Sequence, residues 1–266
     1  AFVSIVSGMS LLGFYSLQVS RRAGRFTKQS LRASTATLAE KIVRKVEKRI
    51  IDQDRGIFDL VDLQDLNDFR VFWDRLTKMS SLVEGALVLD EKYAILHYAS
   101  KESPKDRQYF TELFSKTILP ALELDSLAPG HHKHLHHRIH GRDYLISYMF
   151  MRQHGGRFLV ALKINMDYLI RHMLTEELEP LERRYVATIT DQGGRLVWGR
   201  QPPQNLLKHQ VSRRFPTTLY RWRLALAPRA AASLVVHAKR RQRISAWLFL
   251  ASLAATLVGL IMIGWL

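Results

Sequence analysis

Val83-Glu84-Gly85-Ala86-Leu87-Val88-Leu89-Asp90-Glu91-Lys92-Tyr93-Ala94-Ile95-Leu96-His97-Tyr98-Ala99-Ser100 reads as two apolar runs, Val83–Leu89 and Tyr93–Ser100, joined by the charged turn Asp90-Glu91-Lys92. Short apolar runs bounded by turn residues predict a β-hairpin. Downstream, Lys105–Ala121 has helical periodicity as far as Pro120, and residues 125–130 read as a loop. Gly141-Arg142-Asp143 is a turn into the strand Tyr144–Met151, and Gly155-Gly156 is a turn into the strand Arg157–Ile164. Asn165–Glu177 returns to helical spacing. The unit therefore reads strand-strand-helix-strand-strand.

Upstream, Asp65–Met79 is an amphipathic helix with Leu66, Phe69, Phe72, Trp73 and Leu76 on one face. Thr27–Arg55 reads as one long helix, with Leu31, Leu38, Ile42, Val46 and Ile50 recurring mostly at three- and four-residue steps. Such a stripe suits either a stalk that pairs with a second copy or a helix lying on its own domain. After Pro180 the order begins again. Tyr185–Thr190 and Arg195–Gly199 are strands around the tight turn Asp191-Gln192-Gly193-Gly194. Residues 202–208 hold at most one helical turn, and Val211–Phe215 and Tyr220–Ala227 are two more strands. The second unit is a reduced copy of the first.

Two uncharged or nearly uncharged runs bracket this body. Ile244–Leu266 has no charge and no proline, with Trp247 near one end and Trp265 at the other. A helix of that length spans a hydrocarbon core of roughly 30 Å, and the tryptophans sit at interfacial positions. Ala1–Ser20, ended by Arg21-Arg22, reads as a first membrane helix rather than a cleaved leader, since it lacks a basic start and a small-residue cleavage site. The chain is expected to continue into an output domain beyond Leu266. The expected organisation is 1–20 membrane helix, 24–80 stalk and second helix, 81–178 membrane-distal unit, 179–229 smaller proximal unit, 230–243 juxtamembrane helix and 244–266 membrane helix.

The chain carries a net charge of +16 and no cysteine, which excludes disulfides and thiol chemistry. A basic balance suggests nucleic acid. However, Arg21, Arg22, Arg25, Lys28, Arg32, Arg229, Lys239, Arg240, Arg241 and Arg243 flank the two apolar runs, where anionic lipid head groups explain them, and no nucleic-acid partner is expected. There is no Walker loop, G-x-S-x-G or H-E-x-x-H, and no carboxylate pair placed for acid–base work. No catalytic residue and no cofactor is expected in these residues.

With these pieces in order, the sequence resembles the double Cache extracytoplasmic sensor domain of bacterial transmembrane receptors. The resemblance is carried by the hairpin Val83–Tyr98, by Asp106-Arg107-Gln108-Tyr109-Phe110, which looks like the family's D-R-x-Y-F helix start, and by Ile189–Trp198 as the first hairpin of the second module. It covers roughly residues 27–227. It implies an α/β (α+β) fold of two tandem PAS-like units with antiparallel sheets on a long N-terminal helix, flanked by two transmembrane helices. It also implies ligand sensing outside the bacterial inner membrane, with a sensor histidine kinase as the expected parent and a chemoreceptor or diguanylate cyclase as the alternative. The positive-inside rule points the other way, since both brackets place basic residues on the side of the body. Long domains, however, translocate largely regardless of charge. A homodimer is expected through the long helix. A structural membrane protein docking on lipid, with no small-molecule ligand, is the rival reading, and a cytoplasmic regulatory domain is a third.

The resemblance places a ligand in the distal unit, between the sheet and its covering helix. By position the candidates are Arg107 and Tyr109 on the helix, His97 and Tyr98 at the end of the second strand, Ser147 and Tyr148 on the third, and Lys163 on the last. Arg offers a planar fork matched to a carboxylate, and a Lys at position 163 disfavours an ammonium, so a small carboxylate-like anion is expected rather than an amino acid. Arg107 as a local structural contact, with Tyr109 and Phe110 as core, is the alternative. Residues 131–140, His-His-Lys-His-Leu-His-His-Arg-Ile-His, are the most unusual composition in the chain. In an extended strand His132, His134 and His136 would share a face, the geometry of a metal site, and the cluster could equally titrate near neutrality. Lys133 and Arg138 argue against a cation, and a solvated loop is the expectation, so no metal is assigned.

Overall fold

The structure is a computed structural model of the 266-residue chain. It describes residues 2–61, 71, 73–76, 80–128, 130–153 and 155–231, with scattered positions between 240 and 261; at 2–13, 16, 17, 20 and 21 only the backbone is described. The first helix, α1 (Phe2–Phe58), is continuous for 57 residues, about 85 Å at 1.5 Å per residue. Its C-terminal half buries Thr35, Ala39, Ile42, Val43, Val46, Glu47, Ile50, Asp54, Ile57 and Phe58, a stripe at three- and four-residue steps. That stripe packs on the chain's own sheets, the second of the two readings of this helix. The expected helix Asp65–Met79 lies mostly outside the described residues, although Trp73 within it is fully buried.

The first sheet has five strands: β1 (Val83–Leu89), β2 (Ile95–Ser100), β3 (His132–Ile139), β4 (Arg142–Gln153) and β5 (Gly156–Ile164). Their order is β2-β1-β5-β4-β3, antiparallel throughout. Helix α2 (Pro104–Leu113), continued by a π-turn at Phe114–Ile118 and a 3-10 turn at Leu119–Ala121, covers one face. Ser103 caps α2, accepting from the Asp106 amide and donating to its carboxylate, and Pro104 occupies the first turn.

The expected loop at 131–140 is instead strand β3, which corrects the strand count of the first unit from four to five. The cause is a two-residue hairpin: His140 (φ 48°) and Gly141 (φ 81°) both adopt positive φ, so Ile139 pairs with Arg142 and the ladder runs back to His132–Met149.

The second sheet has β6 (Tyr185–Thr190), β7 (Leu196–Gly199), β8 (Val211–Arg214) and β9 (Arg223–Pro228) in the order β7-β6-β9-β8. It repeats the order of the first sheet with one strand fewer. One apolar core joins α1, the inner face of the first sheet (Ala86, Val88, Leu145, Val160, Leu162) and the second sheet (Ile189, Phe215, Trp222, Leu224). Ionic contacts also cross between the sheets, Arg138–Asp191 at 2.8 Å and Arg195–Asp143 at 2.6 Å.

Among the described residues no helix is long and apolar enough to cross a membrane. Most side chains of the expected span 1–20, and much of 230–243 and 244–266, lie outside the described residues.

Candidate functional site

Side chains alternate across a strand, so register decides which candidates meet. Tyr98 pairs opposite Leu87, Leu87 opposite Ala161, and Gly85 opposite Lys163, which puts Tyr98 and Lys163 on the α2 face. Tyr148 opposes Ala161 and shares that face. His97 opposes Val88 and Ser147 opposes Leu162, so both point to the opposite, α1-side face. The period of two therefore divides the adjacent pairs 97/98 and 147/148, and a single pocket cannot use all four.

Lys163 is buried and already paired. Its Nζ lies 2.5 Å from Glu102 Oε1 and 3.0 Å from Glu84 Oε2, and 4.5 Å from the Phe110 ring centre. The β1–β5 register slips between Val83 and Gly85, and this irregularity lets Glu84 reach it. Tyr98 and Ser100 donate to Glu102 Oε2 at 2.7 and 3.0 Å. Burial alone would raise the Glu102 carboxyl, but the bonds from Lys163, Tyr98 and Ser100 outweigh it and hold it below the ordinary carboxylate range. Burial pushes the Tyr98 hydroxyl well above its usual value. Gly85 is required here, because a Cβ would lie 2.8 Å from the Tyr98 ring. Lys163 is thus neutralised within the fold, and the expectation that it faces a ligand as a free cation is corrected. So paired, Lys163 does not disfavour an ammonium-bearing ligand.

The other candidates lie around this cluster. Arg107 is exposed and donates to the Ser100 carbonyl at 3.3 Å. Tyr109 is exposed, with its hydroxyl 3.0 Å from His140 Nδ1. Phe110 is core, packed on Tyr98, Phe114 and Tyr144. The space between α2 and the sheet is filled by Leu87, Phe110, Phe114, Ile146, Tyr148 and Leu159.

A cleft of ≈ 590 Å³ opens instead along β3. Ile51 and Arg55 of α1 form one wall, residues 131–135 the floor, Glu123 and Tyr148 a second wall, and Thr217 and Tyr220 before β9 the third. Two cations stand at it. Lys133 is tied to Glu123 Oε2 at 3.1 Å and Ser126 Oγ at 2.6 Å, whereas Arg55 forms no ion pair among the described residues. Tyr148 Oη accepts from the Glu123 amide at 3.2 Å and fixes the second wall.

His132, His134 and His136 share one face of β3 but not one neighbourhood. His132 and His134 line the cleft on the α1 side, and His134 Nε2 lies 2.7 Å from Asp54 Oδ2. His136 is fully buried, edge-on to Trp222 at 5.0 Å, and takes no part with the other two. Burial, reinforced by Arg221 and His137, pushes it down to about 4. Sequence reading missed Glu84, Glu102, Asp54 and Arg55. The signal for Asp54 was present: Glu47 and Asp54 stand seven residues apart on the stripe of Val43, Ile50 and Ile57, where an acid must have a partner.

No protein-family model matches the chain, and no curated protein matches it. Solved structures do. The ligand-binding domain of the Pseudomonas aeruginosa PAO1 amino acid chemoreceptor PctC, in complex with GABA, is 14% identical over 76% of this chain and 99% of its own, with a TM-score of 0.44. The sensory domain of the Campylobacter jejuni chemoreceptor Tlp3, with isoleucine bound, is 10% identical over 79% and 98%, with a TM-score of 0.43. An extracellular domain described as that of a histidine kinase, rpHK1S-Z16, is 14% identical over 80% and 95%, with a TM-score of 0.35.

Proposed function

We propose that this chain is the extracytoplasmic ligand-sensing region of a membrane signalling receptor, and that the ligand occupies the cleft along β3. One observation carries the reading: the cleft is bounded at once by α1, by the first sheet and by the segment leading into β9 of the second. A molecule held there touches both sheets and the helix that runs on to the apolar N-terminal stretch. Differential affinity for two arrangements of those walls is what a sensor requires. Membrane attachment is supported by exposed apolar side chains at both ends of the chain, among them Phe14, Tyr15, Trp247, Leu250 and Leu257, beside the basic residues that suit head groups.

The cleft favours a small carboxylate-bearing molecule, because Arg55 offers a planar fork and the walls add the Tyr220 hydroxyl and His131. Amino acids are among such molecules. Thermal unfolding of the full chain in detergent, against carboxylates, phosphates and amino acids, tests the reading. A ligand at a hundred times its Kd adds about 2.7 kcal/mol. The stabilisation is expected with a carboxylate and is lost in Arg55→Ala. Stabilisation that survives Arg55→Ala and disappears in Arg107→Ala would move the ligand to the α2 end. No stabilisation by any molecule, together with liposome binding, would favour lipid docking. We read the parent receptor as a sensor histidine kinase, which autophosphorylation of the full-length protein tests against a chemoreceptor.

A further inference from the structure

We propose that Asp54, His132 and His134 form a binding site for a divalent transition metal of the zinc class, joining α1 to β3 at the wall of the cleft. Asp54 is completely buried on α1. A buried carboxylate must be paired, yet only Oδ2 has a partner, His134 Nε2 at 2.7 Å; Oδ1 is buried with none among the described residues. A structural ion pair would need one histidine. Here a second, His132, stands two residues away on the same strand face, its ring 5.3 Å from that of His134. One donor atom from each of the three residues falls within 4.8 Å of the others. Ligands around a tetrahedral zinc, bonded at about 2.0–2.1 Å, lie roughly 3.3 Å apart. Rotation of the side chains closes the difference, and Asp54 and His134 open slightly to admit the ion.

The donor chemistry is selective. Two imidazole nitrogens and one carboxylate oxygen suit zinc, cobalt, nickel or copper, and not magnesium or calcium, which prefer oxygen. The two cations within the histidine run do not oppose the site. Lys133 lies on the other strand face, tied to Glu123 and Ser126, and Arg138 is paired with Asp191. Three protein ligands leave a fourth position, and because His132 and His134 both line the cleft, that position opens to water or an anion there. The site stands whether or not the cleft takes an organic ligand.

The test is calorimetric titration of the chelator-treated full chain, without a histidine tag, with zinc and with cobalt, the latter also followed by visible absorption. One ion per chain and the intense absorption of four-coordinate cobalt are expected. His132→Gln is expected to weaken binding at least tenfold, as is Asp54→Asn, which keeps the side-chain shape. His137→Gln, on the opposite strand face, is expected to bind as the wild type does. Should Asp54→Asn not fold, as judged by circular dichroism, His132→Gln decides alone. Absence of binding by the wild-type chain, or wild-type affinity in His132→Gln, overturns the proposal.

Discussion

Glu47→Ala is expected to loosen the junction between α1 and the second sheet. Glu47 is buried on the helix stripe, and its Oε1 accepts from the amides of Thr217 at 2.7 Å and Thr218 at 2.9 Å, with both hydroxyls farther off at 3.2 and 3.3 Å. Removing the carboxylate leaves these donors unequal. Thr217 is exposed and its amide finds water, whereas Thr218 is fully buried and its amide and hydroxyl do not. An orphaned buried donor costs about 1–3 kcal/mol, and a hydrogen bond to a charged group contributes about 1.5–3 kcal/mol. The total comes to about 3 kcal/mol, a fall in Tm of about 10 °C for a chain of this size. Glu47→Gln keeps an acceptor oxygen in place and is expected to cost about 1 kcal/mol. Urea unfolding measures both, and hydrogen exchange at the Thr218 amide locates the effect. An alanine variant within about 0.5 kcal/mol of wild type, or a glutamine variant as damaged as the alanine one, would refute the reasoning.

Four further outcomes are expected. Lys163→Met leaves Glu84 and Glu102 facing each other and should cost about 3–5 kcal/mol by chemical denaturation, with part recovered when Glu102→Gln is added. Because the Glu102 carboxyl is held below its unfolded value, its contribution is present above the unfolded pKa and is lost as pH falls through the folded one; Glu102→Gln should flatten that acid limb. His136, at about 4 in the fold against about 6.5 unfolded, stays neutral while the unfolded chain takes up a proton, so stability falls as pH drops from about 6.5 to 4 by about 3 kcal/mol. Tm measured against pH in His136→Phe should lack that slope. Gly199 (φ +84°) and Gly141 (φ +81°) share a backbone conformation but not a neighbourhood: a Cβ at 199 would lie 2.3 Å from the Ala187 carbonyl oxygen, and at 141 nothing is within 4 Å. Gly141→Ala should cost about 1–2 kcal/mol and Gly199→Ala clearly more, read from the two unfolding midpoints.

Much of the fold was legible because local chemistry and tertiary structure agree. The hairpin at Asp90-Glu91-Lys92, the stop at Pro120 and the turn at Asp191–Gly194 all stand where their residue types place them. Strand β3 was hidden because six of its ten flanking and internal positions, 131, 132, 134, 136, 137 and 140, are histidine, and a polar run reads as solvated. Only the two-residue turn His140-Gly141 betrays it. The candidate site was read less well, for two reasons. Alternation separates His97 from Tyr98 and Ser147 from Tyr148, a distinction that depends on strand register. Lys163 finds its carboxylates through a register slip and a residue 61 positions away, which no local spacing reveals.

Among the described residues no long helix of the second unit lies against the inner face of the second sheet; α1, from more than a hundred residues earlier, supplies that cover through Val43, Val46 and Ile50. Its hydrophobic face is therefore completed by a distant segment of the same chain. Residues 179–229 cut out and expressed alone would present that face to water, and adding back a peptide spanning 31–58 should rescue them as fragment complementation does. The two halves are separate in topology and joined in thermodynamics, and the chain is expected to melt in a single cooperative step.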